Sequence, residues 1–175
     1  YTPLMKTVEM TRTQPANVTL TASDIATATA NLPALESIAR TCEANGVQLL
    51  LVLTPTAPPG LNTWRLELAR KQLRPRHPGL RTLDLSAPGA VPGLDFKTDF
   101  FDPGHPTYVG AAKVSARLGE YLARTYGIRD HRGDPAYAQW ERDAVAHDET
   151  LRKKGAKRVY GQSAETSRAA TGTVR

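Results

Sequence analysis

Residues 34–55 have the sequence ALESIARTCEANGVQLLLVLTP, in which a helix pattern is followed by a strand pattern. Apolar residues recur at helical spacing over residues 25–42, and Asn45-Gly46 is a natural helix stop. Pro33 interrupts the pattern, so we expect a break there and a stronger helix from about Pro33 to Ala44. The run Val47–Leu53 is short and almost continuously apolar, which favours a strand buried on both faces of a parallel sheet.

Helix and strand patterns alternate on either side of this stretch. Ser23 or Asp24 is a good N-cap for the first helix. Further along the chain, the patterns predict a helix, a second strand and a last helix, at Leu61–Leu73, Leu80–Leu85 and Tyr108–Tyr126. This order is typical of an α/β fold with parallel strands and crossover helices. We therefore predict a three-layer, flavodoxin-like α/β fold whose parallel sheet is incomplete at the N-terminus, because two strands are too few.

Charge divides the chain into three parts. The net charge is +6, and all of the excess lies in residues 151–175, whereas residues 1–150 are neutral. We predict that residues 1–128 are the α/β domain, with an irregular surface segment over residues 1–20. Residues 129–152 are predicted as a linker and a surface helix, and residues 153–175 as a disordered basic tail. The neutral body argues against a nucleic-acid partner.

The composition excludes several further classes of protein. The single cysteine, Cys42, excludes an internal disulfide and any multi-cysteine metal site, and we expect a buried structural thiol. No apolar run approaches the ~20 residues that a membrane span needs. No cofactor motif is present, so we expect neither a cofactor nor a metal.

The stretch DFFDPGHPTYVGAAKV, residues 99–114, carries the best candidate site. It places Asp102 three residues before His105, in a Pro-Gly turn that opens onto the last helix. A carboxylate fixes the tautomer and orientation of a histidine that acts as the base in acyl transfer. The alternative is that Asp102 caps the helix and His105 packs in the turn. A metal site that includes Asp99 is disfavoured, since no further ligand cluster is apparent.

Other polar and aromatic residues carry weaker hypotheses. An acyl-transfer site also needs a nucleophile, and none is obvious in this chain. Ser86 follows the second strand and could take that role, but a turn serine is the simpler interpretation. Asp84 is a strand-end residue that could line a site. The remaining histidines are expected to be solvated, and the two tryptophans to pack: His77, His131, His147, Trp64 and Trp140.

The order of these motifs resembles the SGNH (GDSL-type) esterases and acyltransferases. Asp102-Pro-Gly-His105 followed by Gly110 and a helix is similar to the last block of that family, in which an Asp-x-x-His pair supplies two members of a Ser–His–Asp triad. The helix–strand unit over residues 34–55 also looks like the unit that precedes this block in SGNH-like bacterial envelope proteins. Residues 126–132 and 137–140 look similar to the tail of that group.

The chain departs from the family at its nucleophile. It contains no Gly-Asp-Ser-type block, and Thr107 stands where close relatives often carry Asn. The resemblance therefore implies the C-terminal portion of an SGNH-like domain, with the serine and oxyanion hole upstream of Tyr1. His105 would be the general base and Asp102 its orienting carboxylate.

The resemblance also implies a function and a location. The expected function is that of an esterase or O-acyltransferase acting on ester-linked acyl groups, with an acylated small molecule or cell-envelope glycan as substrate. We expect an extracytoplasmic or envelope location and an inactive isolated chain. The alternative is a non-catalytic SGNH-like module that binds a carbohydrate or a protein.

Overall fold

The computed structural model describes residues 20–56 and 62–153. The predicted irregular segment at residues 1–20 lies outside this part of the chain, except for Leu20. The predicted tail also lies outside it, except for Lys153, which is the last residue of a helix.

Two consecutive helices open the described chain, α1 at Ala22–Ala30 and α2 at Leu32–Ala44. Thr21 caps α1, where it forms a reciprocal capping box with Asp24. The helical pattern breaks at Asn31, two residues before the proline. Pro33 lies in the first turn of α2, where its missing N–H has no helical partner to lose. The predicted stop after α2 is confirmed, since Asn45 ends the helix and Gly46 has a φ of +66°.

The parallel sheet has two strands in the described chain. Strand β1, Leu50–Leu53, pairs in parallel with β2, Arg81–Asp84, and α3 at Thr63–Leu73 connects them. The prediction of a strand buried on both faces is wrong, because all four β1 residues are only half-buried. The apolar run also begins before the strand does, and Val47 is 55% exposed. A strand stays half-exposed when so few neighbours cover its faces and its free edge.

The motif stretch forms a second, antiparallel sheet that the sequence pattern did not predict. Strand β3, Phe100–Asp102, pairs with β4, His105–Pro106, and their register is irregular between Phe100 and Asp102. This short hairpin is separate from the β1–β2 sheet. The architecture is therefore mixed α/β, and a three-layer flavodoxin-like sheet is not confirmed.

Helix α4, Tyr108–Tyr126, begins and ends where the sequence predicts. Thr107 is its N-cap, and Gly127 ends it in the left-handed conformation with a φ of +64°. A 3₁₀ turn at Pro135–Tyr137 then leads into α5, Ala138–Lys153. None of the described helices is long and apolar enough to cross a membrane.

Helix α5 contacts α4 through its C-terminal half. Leu151 is 3% exposed, and the Tyr108 hydroxyl lies 3.2 Å from a carboxylate oxygen of Asp148. Trp140 lies near the other end of α5 and is 77% exposed, so the prediction that it packs is wrong. Trp64, in α3, is half-buried. The predicted surface helix is thus present, but its tryptophan faces solvent.

Candidate functional site

Asp102 and His105 are hydrogen-bonded to each other at the tip of the β3–β4 hairpin. The His105 Nδ1 atom lies 2.8 Å from both Oδ1 and Oδ2 of Asp102. An ionised carboxylate can only accept hydrogen bonds, so the arrangement assigns the proton to Nδ1. The sequence-predicted contact between these two side chains is therefore present.

The Asp102 carboxylate also builds the turn that holds the histidine. Its Oδ1 accepts the backbone N–H groups of Gly104 and His105, at 2.8 and 2.9 Å. Aspartate commonly closes turns in this way. The Gly104 N–H is the main reason that the pKa of Asp102 lies below its usual value; burial opposes that shift, and His105 adds to it. Asp102 therefore remains an ionised acceptor.

The alternative interpretation, in which Asp102 caps the last helix, is wrong. Thr107 is the cap of α4, and its Oγ1 atom accepts the Gly110 N–H at 3.3 Å. Asp102 is thus free of that role and is committed to the turn and to His105.

The other ring nitrogen of His105 faces an open environment. The His105 side chain is 61% exposed, and in the described part of the chain Nε2 has no hydrogen-bond partner. The Phe101 ring stacks against the imidazole, with ring centroids 5.5 Å apart and planes 14° from parallel. A neutral imidazole that holds its proton on Nδ1 has a free lone pair on Nε2, so it can accept a proton there.

A buried ion pair ties the start of β3 to α4. Asp99, whose side chain is 2% exposed, accepts a hydrogen bond from Lys113 Nζ at 2.7 Å, and Lys113 also donates to the Gly93 carbonyl. The Asp99 carbonyl accepts the Thr107 N–H at 2.7 Å. These contacts fix both ends of the hairpin, so α4 holds the Asp102–His105 turn still. Asp99 is therefore the ion-pair partner of Lys113. This pairing does not support the hypothesis that Asp99 joins Asp102 and His105 in a metal site.

Gly110 makes this close approach of α4 possible. A Cβ atom at Gly110 would lie 2.2 Å from the Asp99 carbonyl oxygen. In the sequence, Gly110 stands out only as part of the family motif, and no pattern singles out Lys113 or Phe101. The available signals were positional: Lys113 lies between two residues of the predicted apolar face of the helix, Ala112 and Val114, and Phe101 directly precedes Asp102.

Ser86 and Asp84 form a separate, closed network at the end of β2. The Ser86 hydroxyl, which is buried, donates to Asp84 at 2.6 Å, and Thr63 donates to the other carboxylate oxygen at 2.8 Å. Burial opposes ionisation of Asp84, but these hydrogen bonds outweigh it and lower the pKa of the carboxyl. Ser86 therefore binds β2 to α3, and its burial disfavours a role as nucleophile.

His77 is the one histidine whose predicted environment is wrong. It is 5% exposed, because the loop between α3 and β2, to which it belongs, packs its ring against α2. Its Nδ1 atom is 2.8 Å from Glu43 Oε2, and its Nε2 is 3.8 Å from Glu36 Oε1. The two glutamates are seven residues apart on α2 and so share one face, which explains how they enclose the ring.

The remaining candidates stay near the surface. His131 lies 3.6 Å from Asp134 and is 41% exposed, and His147 is exposed beside Tyr108. Cys42 is half-buried, less enclosed than the sequence predicts. Among residues 20–56 and 62–153, no group of three or more His, Cys, Asp or Glu side chains could hold a metal ion.

Comparison of the chain with protein-family models, with curated proteins and with solved structures finds no match.

Proposed function

We propose that the chain is part of an SGNH-like esterase or O-acyltransferase, in which Asp102 and His105 are the base half of a Ser–His–Asp triad. The observation that carries this proposal is the hydrogen bond from His105 Nδ1 to Asp102, on a side chain that is 61% exposed and whose Nε2 has no hydrogen-bond partner in the described part of the chain. This is the orientation that a general base needs, because the carboxylate holds the ring while the other nitrogen meets the nucleophile.

In this mechanism, His105 Nε2 takes the proton from a serine hydroxyl as the serine oxygen bonds to the ester carbonyl carbon. The C–O bond to the leaving alcohol then breaks, and Nε2 returns the proton to that alcohol. Water or a second alcohol completes the reaction by attacking the acyl-enzyme. Asp102 stabilises the positive charge that His105 carries between the two steps.

We propose that the serine comes from outside residues 1–175. Ser86, which the sequence offered as a replacement, is buried and bonded to Asp84. None of the serines in the described part of the chain is hydrogen-bonded to His105. The substrate class follows from the resemblance alone: an ester-linked acyl group on a small molecule or an envelope glycan, at an extracytoplasmic location.

Hydrolysis of p-nitrophenyl acetate tests the proposal. The isolated 175-residue chain should show no turnover, whereas the natural full-length protein should hydrolyse the ester. In the full-length protein, His105→Ala should lower kcat at least about 1,000-fold. His131→Ala is the matched control, because His131 also lies near an aspartate and an aromatic ring, and it should leave kcat unchanged.

Two results would overturn the triad. One is a full-length protein whose esterase activity survives His105→Ala. The other is activity that His105→Ala abolishes but that no serine substitution affects.

Trp140 favours a second candidate function, a non-catalytic carbohydrate-binding module. Its indole is 77% exposed on α5, and an exposed aromatic face can stack on a sugar ring. Retention of the chain on an immobilised glycan, lost in Trp140→Ala and kept in His105→Ala, would favour the module over the enzyme. Retention lost in neither variant would remove Trp140 from consideration.

A further inference from the structure

We propose that Phe101 is a positioning residue for His105, which fixes the plane of the imidazole so that Nε2 meets the serine hydroxyl. The inference rests on the proposed function and deepens it. It assigns a third member to the base half of the site, next to Asp102 and His105.

The hairpin places Phe101 where a regular strand would not. Successive side chains of a strand point to opposite faces, so Phe101 and Asp102 should not both reach one ring. The pairing skips Phe101: Phe100 is opposite Pro106, and Asp102 is opposite His105. Phe101 is thus an extra residue in β3, a bulge, and bulges re-aim side chains. As a result, Asp102 bonds to one edge of the imidazole while Phe101 covers its face.

His105 has few other restraints. Its side chain is 61% exposed, and both of its carboxylate contacts involve the same nitrogen. A ring held only at Nδ1 can pivot about that contact and carry Nε2 away from the nucleophile. The nearly parallel Phe101 ring, at a centroid distance of 5.5 Å, resists tilting of the imidazole out of its plane.

The stack also matches the charge that the reaction creates. An aromatic face attracts a cation within about 6 Å of its centroid. When His105 takes the serine proton it becomes an imidazolium, and the Phe101 face then lies against a positive charge. The contact therefore strengthens in the step that the base performs.

The test uses Phe101→Leu, which removes the ring, and Phe101→Tyr, which keeps it. Phe96→Leu is the control, since Phe96 stacks on Phe100 and not on His105. In the full-length protein, Phe101→Leu should lower kcat about three- to tenfold with KM unchanged. Phe101→Tyr and Phe96→Leu should both keep kcat at the wild-type value.

A spectroscopic readout on the isolated chain separates positioning from folding. The three-bond couplings that report the His105 χ1 angle should indicate one rotamer in the wild type and an average over rotamers in Phe101→Leu, while Asp102 keeps the proton on Nδ1 in both. If that variant fails to fold, as judged by circular dichroism, Phe101→Met is measured in its place. Unchanged kcat and an unchanged His105 rotamer in the leucine or methionine variant would overturn the role of Phe101.

The outcomes also separate this inference from the function on which it rests. If Phe101→Leu has no effect while His105→Ala inactivates the protein, the positioning role fails and the triad stands. If His105→Ala is active, the triad itself fails, whatever the Phe101 variants show.

Discussion

The contact between α4 and the hairpin predicts that two glycine substitutions on the same helix will have opposite effects. Gly110→Ala would place a Cβ atom 2.2 Å from the Asp99 carbonyl oxygen and 3.0 Å from the Asp99 Cβ. Gly119→Ala is the matched control, since nothing lies within 4 Å of a Cβ there. Both residues belong to α4, and neither has a positive φ.

The magnitude follows from three contributions. Alanine is favoured over glycine in a helix by about 0.5–1 kcal/mol, and Gly119→Ala should raise the free energy of unfolding by that amount. At Gly110 the clash requires a shift of roughly 1 Å, and overpacking of this kind costs about 1–3 kcal/mol. The shift also breaks the hydrogen bond from Thr107 N–H to the Asp99 carbonyl, a loss of about 1 kcal/mol. Gly110→Ala should therefore destabilise the chain by about 1–3 kcal/mol.

Urea unfolding of the 175-residue chain, followed by circular dichroism, measures both variants. The midpoint should fall for Gly110→Ala and rise for Gly119→Ala, with equal slopes. If both substitutions stabilise the chain equally, α4 does not approach Asp99 closely, and the account of how the hairpin is held is wrong.

Two further predictions concern charge. Lys113→Met leaves the buried Asp99 carboxylate without its cation, with the Asp95 N–H still donating to it, and should cost about 3 kcal/mol in urea unfolding. Arg117→Met, which loses a hydrogen bond to the Ala90 carbonyl, should cost only about 1 kcal/mol, and equal costs would refute the ion pair. The pKa of Asp102 is lower in the folded chain than in the unfolded chain, so the ionised carboxylate stabilises the folded state. This stabilisation is fully present above the ordinary aspartate pKa of about 4, and it is lost as the pH falls from there through the lowered pKa. Asp102→Asn should therefore flatten the loss of stability between neutral and acidic pH; an unchanged acid profile would contradict the turn hydrogen bonds.

The sequence predicted those elements whose boundaries are set by local chemistry. The Tyr108–Tyr126 helix has both its bounds as predicted, because an apolar face and Gly127 define it. The stop at Asn45-Gly46 is equally local. The contact between Asp102 and His105 was predictable for the same reason, since only the two residues of a Pro-Gly turn separate them.

Features that depend on distant contacts were not predictable. Whether the Val47–Leu53 run is buried depends on what covers it, and only its last four residues form β1. His77 lies between a proline and an arginine, a polar setting that hides its enclosure by α2. Lys113 and Asp99 form an ion pair because α4 packs against the segment before β3. The spacing of apolar residues along the chain does not predict that packing. The bulge at Phe101 likewise follows from strand pairing.

We propose above that His105 activates a serine supplied from outside residues 1–175. Labelling of the natural full-length protein with a fluorophosphonate, followed by peptide mass spectrometry, tests it most directly, because the reagent modifies only activated serines. We predict one adduct, on a serine outside this chain, that is lost in His105→Ala and kept in His131→Ala. An adduct that forms equally in His105→Ala, or no adduct in the wild-type protein, would contradict the claim.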